Sequence, residues 1–339
     1  MIHKQILRKS IFFIKTSIIF LKYKLSIPVP FLIIVVPTGN WNLRCKYCEY
    51  YHKENIPDYG QMSYPMLRKI IDQIYNLGIP MISFSGGEPL LCKDIIKTIK
   101  YAHKKGIIIN LNTNGTLINK KQANKLTKYC DYIRISINGC ETEHEKITQI
   151  KKSFSKTAIG LKHLINTKNR FAKIGINIIY KQGKEKRILE TIQKFKNSVD
   201  FFSILPRFSF IQNKQIKLEK ISKELLLIIN RYKKIILNYK FILKANSKNN
   251  NIYCDYGILY ATIYPTGAVM GCPFLTSKKD KKHELGNINY KTLNQILKKA
   301  RIKKKPNCQG CYATCTTTVS QLFNKSHYKL ENMFKFLIK

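Results

Sequence analysis

From Phe31 onward, short apolar runs alternate with amphipathic segments, and this alternation restricts the fold more than any other feature of the chain. Runs at 31–36 (F-L-I-I-V-V), 80–84, 107–111, 131–137, 173–180 and 200–205 read as buried strands. The segments at 65–77, 93–105, 119–128, 153–166, 185–196 and 221–238 carry apolar residues at helical spacing. Strands separated by helices form parallel sheets, because a parallel neighbour requires a long crossover. Six βα units suit an open barrel or a doubly wound sheet, and periodicity alone does not choose. Both architectures place their chemistry in the loops at the carboxyl ends of the strands, so the residues after each run matter most.

The 339 residues accommodate a barrel of roughly 200 to 250 residues and one small second module. A hydrophobic fraction of 44% with 11% aromatics excludes a disordered chain. The formal charge of +42 suggests a polyanion partner, but the lysines are scattered, and Ile, Asn, Tyr and Phe are abundant beside them. A/T-rich codons explain that composition, so no specific nucleic acid is expected. Ten cysteines without a cleavable leader point to a reducing, cytoplasmic setting, where clustered thiols bind metal. Residues 2–22 place Ile6, Leu7, Ile11, Ile14, Ile18 and Leu21 at helical spacing, with Lys4, Arg8, Lys15 and Lys22 on another side. No uncharged run there reaches the roughly 20 residues of a membrane span. A helix packed across the barrel's end, a basic helix lying on an anionic membrane surface, and a targeting segment are the three readings.

Four stretches follow strands in order: N-W-N-L-R-C-K-Y-C at 40–48, S-G-G-E-P at 85–89, N-T-N-G-T at 112–116, and I-R-I-S-I-N-G at 133–139. Taken alone, Cys45 and Cys48 are two buried thiols or half a zinc site, and G-G-E-P is a turn. Taken together, the stretches resemble the radical S-adenosylmethionine (radical SAM) enzymes, whose cluster loop reads C-x-x-x-C-x-x-C. The resemblance covers roughly residues 31–205 and implies a partial (β/α)6 TIM-like barrel of α/β class. It implies a [4Fe-4S] cluster held by three thiolates with one iron open to S-adenosylmethionine, whose cleavage yields a hydrogen-abstracting 5′-deoxyadenosyl radical. Cys45 and Cys48 occupy the second and third ligand positions. Trp41, the only tryptophan in the chain, occupies the first, and its indole N–H has no lone pair for a metal. The resemblance also places Tyr47 near the adenine, and Gly86, Gly87, Glu88 and Pro89 around the methionyl ammonium. Asn112, Asn114, Ser136 and Asn138 fall in the cofactor-binding strand ends, Asn138 standing where the family has Asp. His52 and Asp58 read as solvated loop residues, with a substitute cluster ligand as the alternative role.

A second constellation, Cys254, Cys272, Cys308, Cys311 and Cys315, surrounds an expected hairpin at Pro265-Thr266-Gly267 and L-G-N-I at 285–288. It resembles the C-terminal SPASM and twitch iron-sulfur extensions. The full extension holds two auxiliary clusters, whereas five cysteines suffice for one auxiliary [4Fe-4S] cluster, so the resemblance implies the shorter twitch form, with Cys254, Cys272, Cys308 and Cys311 as ligands and Cys315 as a replacement for one of them. The alternative is a structural zinc site made of four cysteines. Cys92, Cys130 and Cys140 lack ligand-spaced neighbours and read as ordinary thiols. The expected organisation is a basic N-terminal segment (1–30), the barrel (31–240), the auxiliary-cluster domain (250–320) and a tail (321–339). The implied function is a radical SAM oxidoreductase acting on a small molecule or peptide, reduced by a flavodoxin- or ferredoxin-type donor. The competing expectations are a degenerate homologue serving as a binding or assembly partner, and a basic zinc protein contacting RNA.

Overall fold

The computed structural model describes residues 2–25, 27, 29–48, 60–210, 216–246, 255, 257–272 and 284–300. Six parallel strands build the barrel: β1 (Leu32–Val35), β2 (Met81–Phe84), β3 (Ile108–Thr113), β4 (Tyr132–Ser136), β5 (Lys173–Tyr180) and β6 (Phe201–Pro206). The helices are α1 (Ile2–Lys24), α2 (Tyr64–Asn76), α3 (Ile95–Lys104), α4 (Lys120–Tyr129), α5 (Glu141–Thr148), α6 (Ser153–Thr167), α7 (Glu185–Phe195), α8 (Lys223–Tyr232), α9 (Tyr239–Ala245) and α10 (Leu293–Ala300). A short ribbon, β7 (Phe208–Phe210) and β8 (Ile216–Leu218), follows β6. The later strands are β9 (Tyr260–Ile263), β10 (Ala268–Met270) and β11 (Glu284–Asn287).

The sheet runs β11-β10-β9-β1-β2-β3-β4-β5-β6, so the sequence order of the barrel strands is their spatial order. β9 pairs in parallel with β1, and the β9–β10 hairpin turns through Gly267 at φ +83. The C-terminal hairpin therefore extends the barrel sheet at its open edge. At the other edge, the expected helix 221–238 is interrupted. Phe202 N–H donates to Ile235 O at 2.8 Å and Leu237 N–H to Phe202 O at 2.8 Å, so this segment covers the free edge of β6.

Strand residues alternate between two environments. Ile33 and Val35 join the core beneath the helices, whereas Leu32 and Ile34 pack with Ile108, Phe31 and Tyr260 against Phe12 and Ile19 of α1. α1 thus caps the amino end of the barrel, one of the three readings of its sequence. It is fixed by Arg8, whose guanidinium donates to both Asp131 oxygens (2.8 and 3.2 Å) and to Ile107 O (2.8 Å). Toward the carboxyl end the inward positions become polar. Asn110 and Asn112 both donate to Ser83 Oγ (2.8 and 3.1 Å), Arg134 donates to Asn110 Oδ1 (3.0 Å) and Ser203 Oγ (3.1 Å), and Asn177 donates to Asn112 Oδ1 (3.3 Å). An apolar base and a polar mouth follow from which residue type occupies each second position.

Candidate active site at the barrel mouth

The loops after β1 and β2 are tied into one rim by their own backbones, and the loop after β3 joins it through side chains. Ser85 N–H donates to Val35 O (3.1 Å), Gly87 N–H to Thr38 O (3.3 Å) and Glu88 N–H to Asn40 O (2.8 Å). Gly86 and Gly87 make this approach feasible. A Cβ on Gly86, which sits at φ +112, would lie 2.3 Å from Val36 Cγ1, and one on Gly87 2.2 Å from Asn40 O. Both glycines therefore let this turn pack closely against the loop after β1.

Glu88 is the knot of the rim. Its carboxylate is 2% exposed and accepts from Leu90 N–H (3.1 Å) and Thr113 Oγ–H (2.6 Å) at one oxygen and from Asn114 N–H (2.8 Å) at the other. Burial raises its pKa, while those three hydrogen bonds work in the opposite direction. Pro89 opens the short 3-10 turn that Glu88 caps. Asn114 reaches across to the cluster loop: its amide donates to Asn42 Oδ1 (2.7 Å), and Asn42 donates to Thr116 Oγ1 (2.8 Å).

The second half of the cluster loop rests on α5, an element absent from the sequence reading. Arg44 N–H donates to Thr148 O and Lys46 N–H to Ile147 O, each at 2.9 Å. α5 is anchored by His144, 1% exposed, whose Nδ1 accepts from Asn138 N–H at 3.2 Å. Burial lowers the His144 pKa to about 4, so the ring is neutral. Asn138 Oδ1 accepts from Ile179 N–H (2.9 Å), joining the end of β4 to β5, a bond that needs an acceptor but no charge. Ser136 ends β4 in register with Asn177 of β5, on the polar side of the barrel. Asn112 lies one row deeper, beside Arg134.

Cys45 and Cys48 lie in a turn closed by Cys48 N–H donating to Cys45 O at 3.0 Å, both partly exposed. Burial, and then the adjoining Cys48, push the Cys45 thiol up to about 12, which disfavours a thiolate without a bound cation. Trp41, partly buried, stands where the first of the three thiols is expected. Among the described residues, no group of three His, Cys, Asp or Glu side chains is placed to hold a metal ion. Two thiols and an indole do not by themselves fit a three-thiolate cluster. His52 and Asp58 lie outside the described residues, as do Cys254, Cys308, Cys311 and Cys315. Cys272 is buried two residues after the end of β10. Cys92 and Cys130 are buried in the core, and Cys140 precedes α5.

Tyr47 brings in two residues that the sequence reading missed. The Arg187 guanidinium lies 5.8 Å and that of Arg207 5.0 Å from its ring centroid. Arg187 is 3% exposed and donates to Ile179 O at 2.6 Å, while its Nε and Nη1 have no hydrogen-bond partner among the described residues. Gly139 makes room for it, since a Cβ there would lie 2.7 Å from Arg187 Cγ. Ser83, Asn110, Arg134, Asn177 and Ser203 were missed as well. Their signal was available as polar residues at alternate positions within otherwise apolar runs.

The chain matches the Radical SAM superfamily over residues 35–202 and the SPASM iron-sulfur cluster-binding domain over 254–329. It is 29% identical over 205 residues to Fe-coproporphyrin III synthase of Methanosarcina barkeri, covering 58% of this chain and 50% of that protein. An uncharacterized protein of Methanocaldococcus jannaschii is 30% identical over 293 residues, 83% of this chain and 94% of that one. The chain spans about half the length, or less, of the first curated relatives it matches. The fold is similar to that of native anSMEcpe with bound AdoMet and Cp18Cys peptide, at TM-score 0.62 and 17% identity over 91% of this chain and 98% of that one. A barrel and an iron-sulfur module matched in this order leave one assignment: the chain is a member of the radical SAM superfamily with a SPASM domain, a family whose cofactors are S-adenosylmethionine and [4Fe-4S] clusters.

Proposed function

We propose that this chain is a radical SAM oxidoreductase that binds S-adenosylmethionine at the barrel mouth and acts on a small molecule or a peptide. The observation that carries this reading is the rim itself, in which a buried carboxylate, Glu88, and the Asn42–Asn114 pair lock the cluster loop to the ends of β2 and β3. A preorganised rim of this kind holds a cofactor in one pose and excludes water from it. A bound cluster and S-adenosylmethionine would together supply a hydrogen-abstracting radical. Arg187 and Arg207, both beside Tyr47, supply positive charge suited to a carboxylate. Asn177 Oδ1, buried and without a partner among the described residues, offers an acceptor to a hydroxyl or amino group in the lumen. The auxiliary cluster is assigned to Cys254, Cys272, Cys308 and Cys311, with Cys315 as the alternate ligand. Electrons are assigned to a flavodoxin- or ferredoxin-type donor.

Trp41 favours a second reading, in which the chain keeps the S-adenosylmethionine contacts and the auxiliary metal but serves as a binding or assembly partner. Metal analysis of anaerobically purified protein, coupled to an assay for 5′-deoxyadenosine, separates the two. Release of 5′-deoxyadenosine, with iron for the auxiliary cluster and only partial iron for the barrel cluster, supports the enzyme. Iron for one cluster and binding without cleavage selects the partner, and zinc without iron overturns both.

A further inference from the structure

α1 has two apolar faces, and the barrel uses one. Phe12, Thr16 and Ile19 are buried against the barrel base. On the opposite face Leu7 (59% exposed), Ile14 (60%), Ile18 (47%), Leu21 (62%) and, just past the helix end, Leu25 (65%) form a continuous stripe at intervals of seven, four, three and four residues. Large apolar side chains this exposed are scarce elsewhere among the described residues, and a contiguous patch of them marks an interaction surface.

Charge identifies the occupant. The first 48 residues contain no Asp or Glu, and Lys15, Lys22 and Lys24 border the stripe. Two copies of α1 meeting along it would oppose lysine to lysine with no carboxylate to compensate, which disfavours self-pairing. An acidic phospholipid surface supplies both what the stripe lacks, an apolar phase, and what its borders lack, negative charge. We propose that α1 is an interfacial membrane anchor that lies in the headgroup region of an anionic bilayer. It does not cross: among the described residues no helix is long and apolar enough to span a membrane. Because α1 covers the amino end of the barrel, the docked protein presents the carboxyl-end rim away from the lipid.

The test uses the full chain with vesicles of phosphatidylcholine alone or mixed with phosphatidylglycerol, read by co-sedimentation. Wild type is expected to bind the anionic vesicles and not the neutral ones, with binding weakened by salt. The double substitution Ile14→Gln with Ile18→Gln keeps every charge and alters only exposed positions. It is expected to lower the partition coefficient at least about tenfold with an unchanged melting temperature. Equal binding by the variant would mean that the net charge of the chain acts alone, and would overturn the proposal. So would absence of binding to anionic vesicles, or a wild-type dimer that the same substitution converts to a monomer.

Discussion

Replacing Glu88 tests whether the rim depends on one buried carboxylate. Glu88→Ala leaves three donors, Leu90 N–H, Thr113 Oγ–H and Asn114 N–H, without their acceptor in a site where the native side chain is 2% exposed. A buried donor left unsatisfied costs about 1–3 kcal/mol, so the sum is ~3–5 kcal/mol once partial relaxation is allowed. Glu88→Gln relieves the burial of charge that raises the Glu88 pKa. Its amide keeps two of the bonds at one oxygen and turns an N–H2 toward Asn114 N–H, for a loss of ~1–2 kcal/mol. Urea unfolding followed by circular dichroism reads both variants, with an unchanged m-value required for the comparison. Hydrogen exchange at Asn114 is expected to accelerate in both. An Ala variant within about 0.5 kcal/mol of wild type, or a Gln variant as unstable as Ala, would refute the reasoning.

Three further outcomes follow from particular contacts. His144 is held neutral by burial, its pKa lowered from 6.5 to about 4, so the unfolded chain binds its proton first on acidification. Its contribution is present above about pH 6.5 and is lost toward pH 4, a change of ~3 kcal/mol; His144→Gln, measured by pH-dependent urea titration, is expected to flatten that slope. Arg8→Met leaves Asp131 buried at 6% exposure without its counter-charge, for a loss of roughly 3–5 kcal/mol in the same assay. Cys308→Ala is expected to remove the iron of one cluster and to lower the melting temperature, because metal binding in small modules is also folding free energy; unchanged iron would refute the ligand assignment.

The barrel was legible in the sequence because its strands are buried on both faces and so read as apolar runs. The expected 31–36 and 173–180 coincide with β1 (Leu32–Val35) and β5 (Lys173–Tyr180) to within a residue. α5 was not legible, since E-T-E-H-E-K-I-T carries little amphipathic pattern and its position depends on the cluster loop resting on Thr148 O. The break between α8 and α9 was hidden for a similar reason: residues 235–237 pair with Phe202 on the edge of β6, a tertiary contact that overrides helical spacing. At the site, the glycines and Glu88 announced themselves by motif, but their geometry did not. Glu88 takes its donors from residues up to 26 positions away, and Gly87 is small because Asn40 O lies against it. Arg187 was lost among many basic residues, and only its burial beneath Gly139 distinguishes it.

The account turns on Trp41, which leaves two thiols where the family's barrel cluster uses three. The most direct measurement is iron content and 5′-deoxyadenosine formation for wild type and Trp41→Cys, reconstituted side by side under anaerobic conditions with S-adenosylmethionine and a reductant. The substitution is expected to add the iron of one cluster per chain and to raise nucleoside formation well above wild type. A wild-type chain that already holds a full barrel cluster, with neither quantity changed by the substitution, would contradict it.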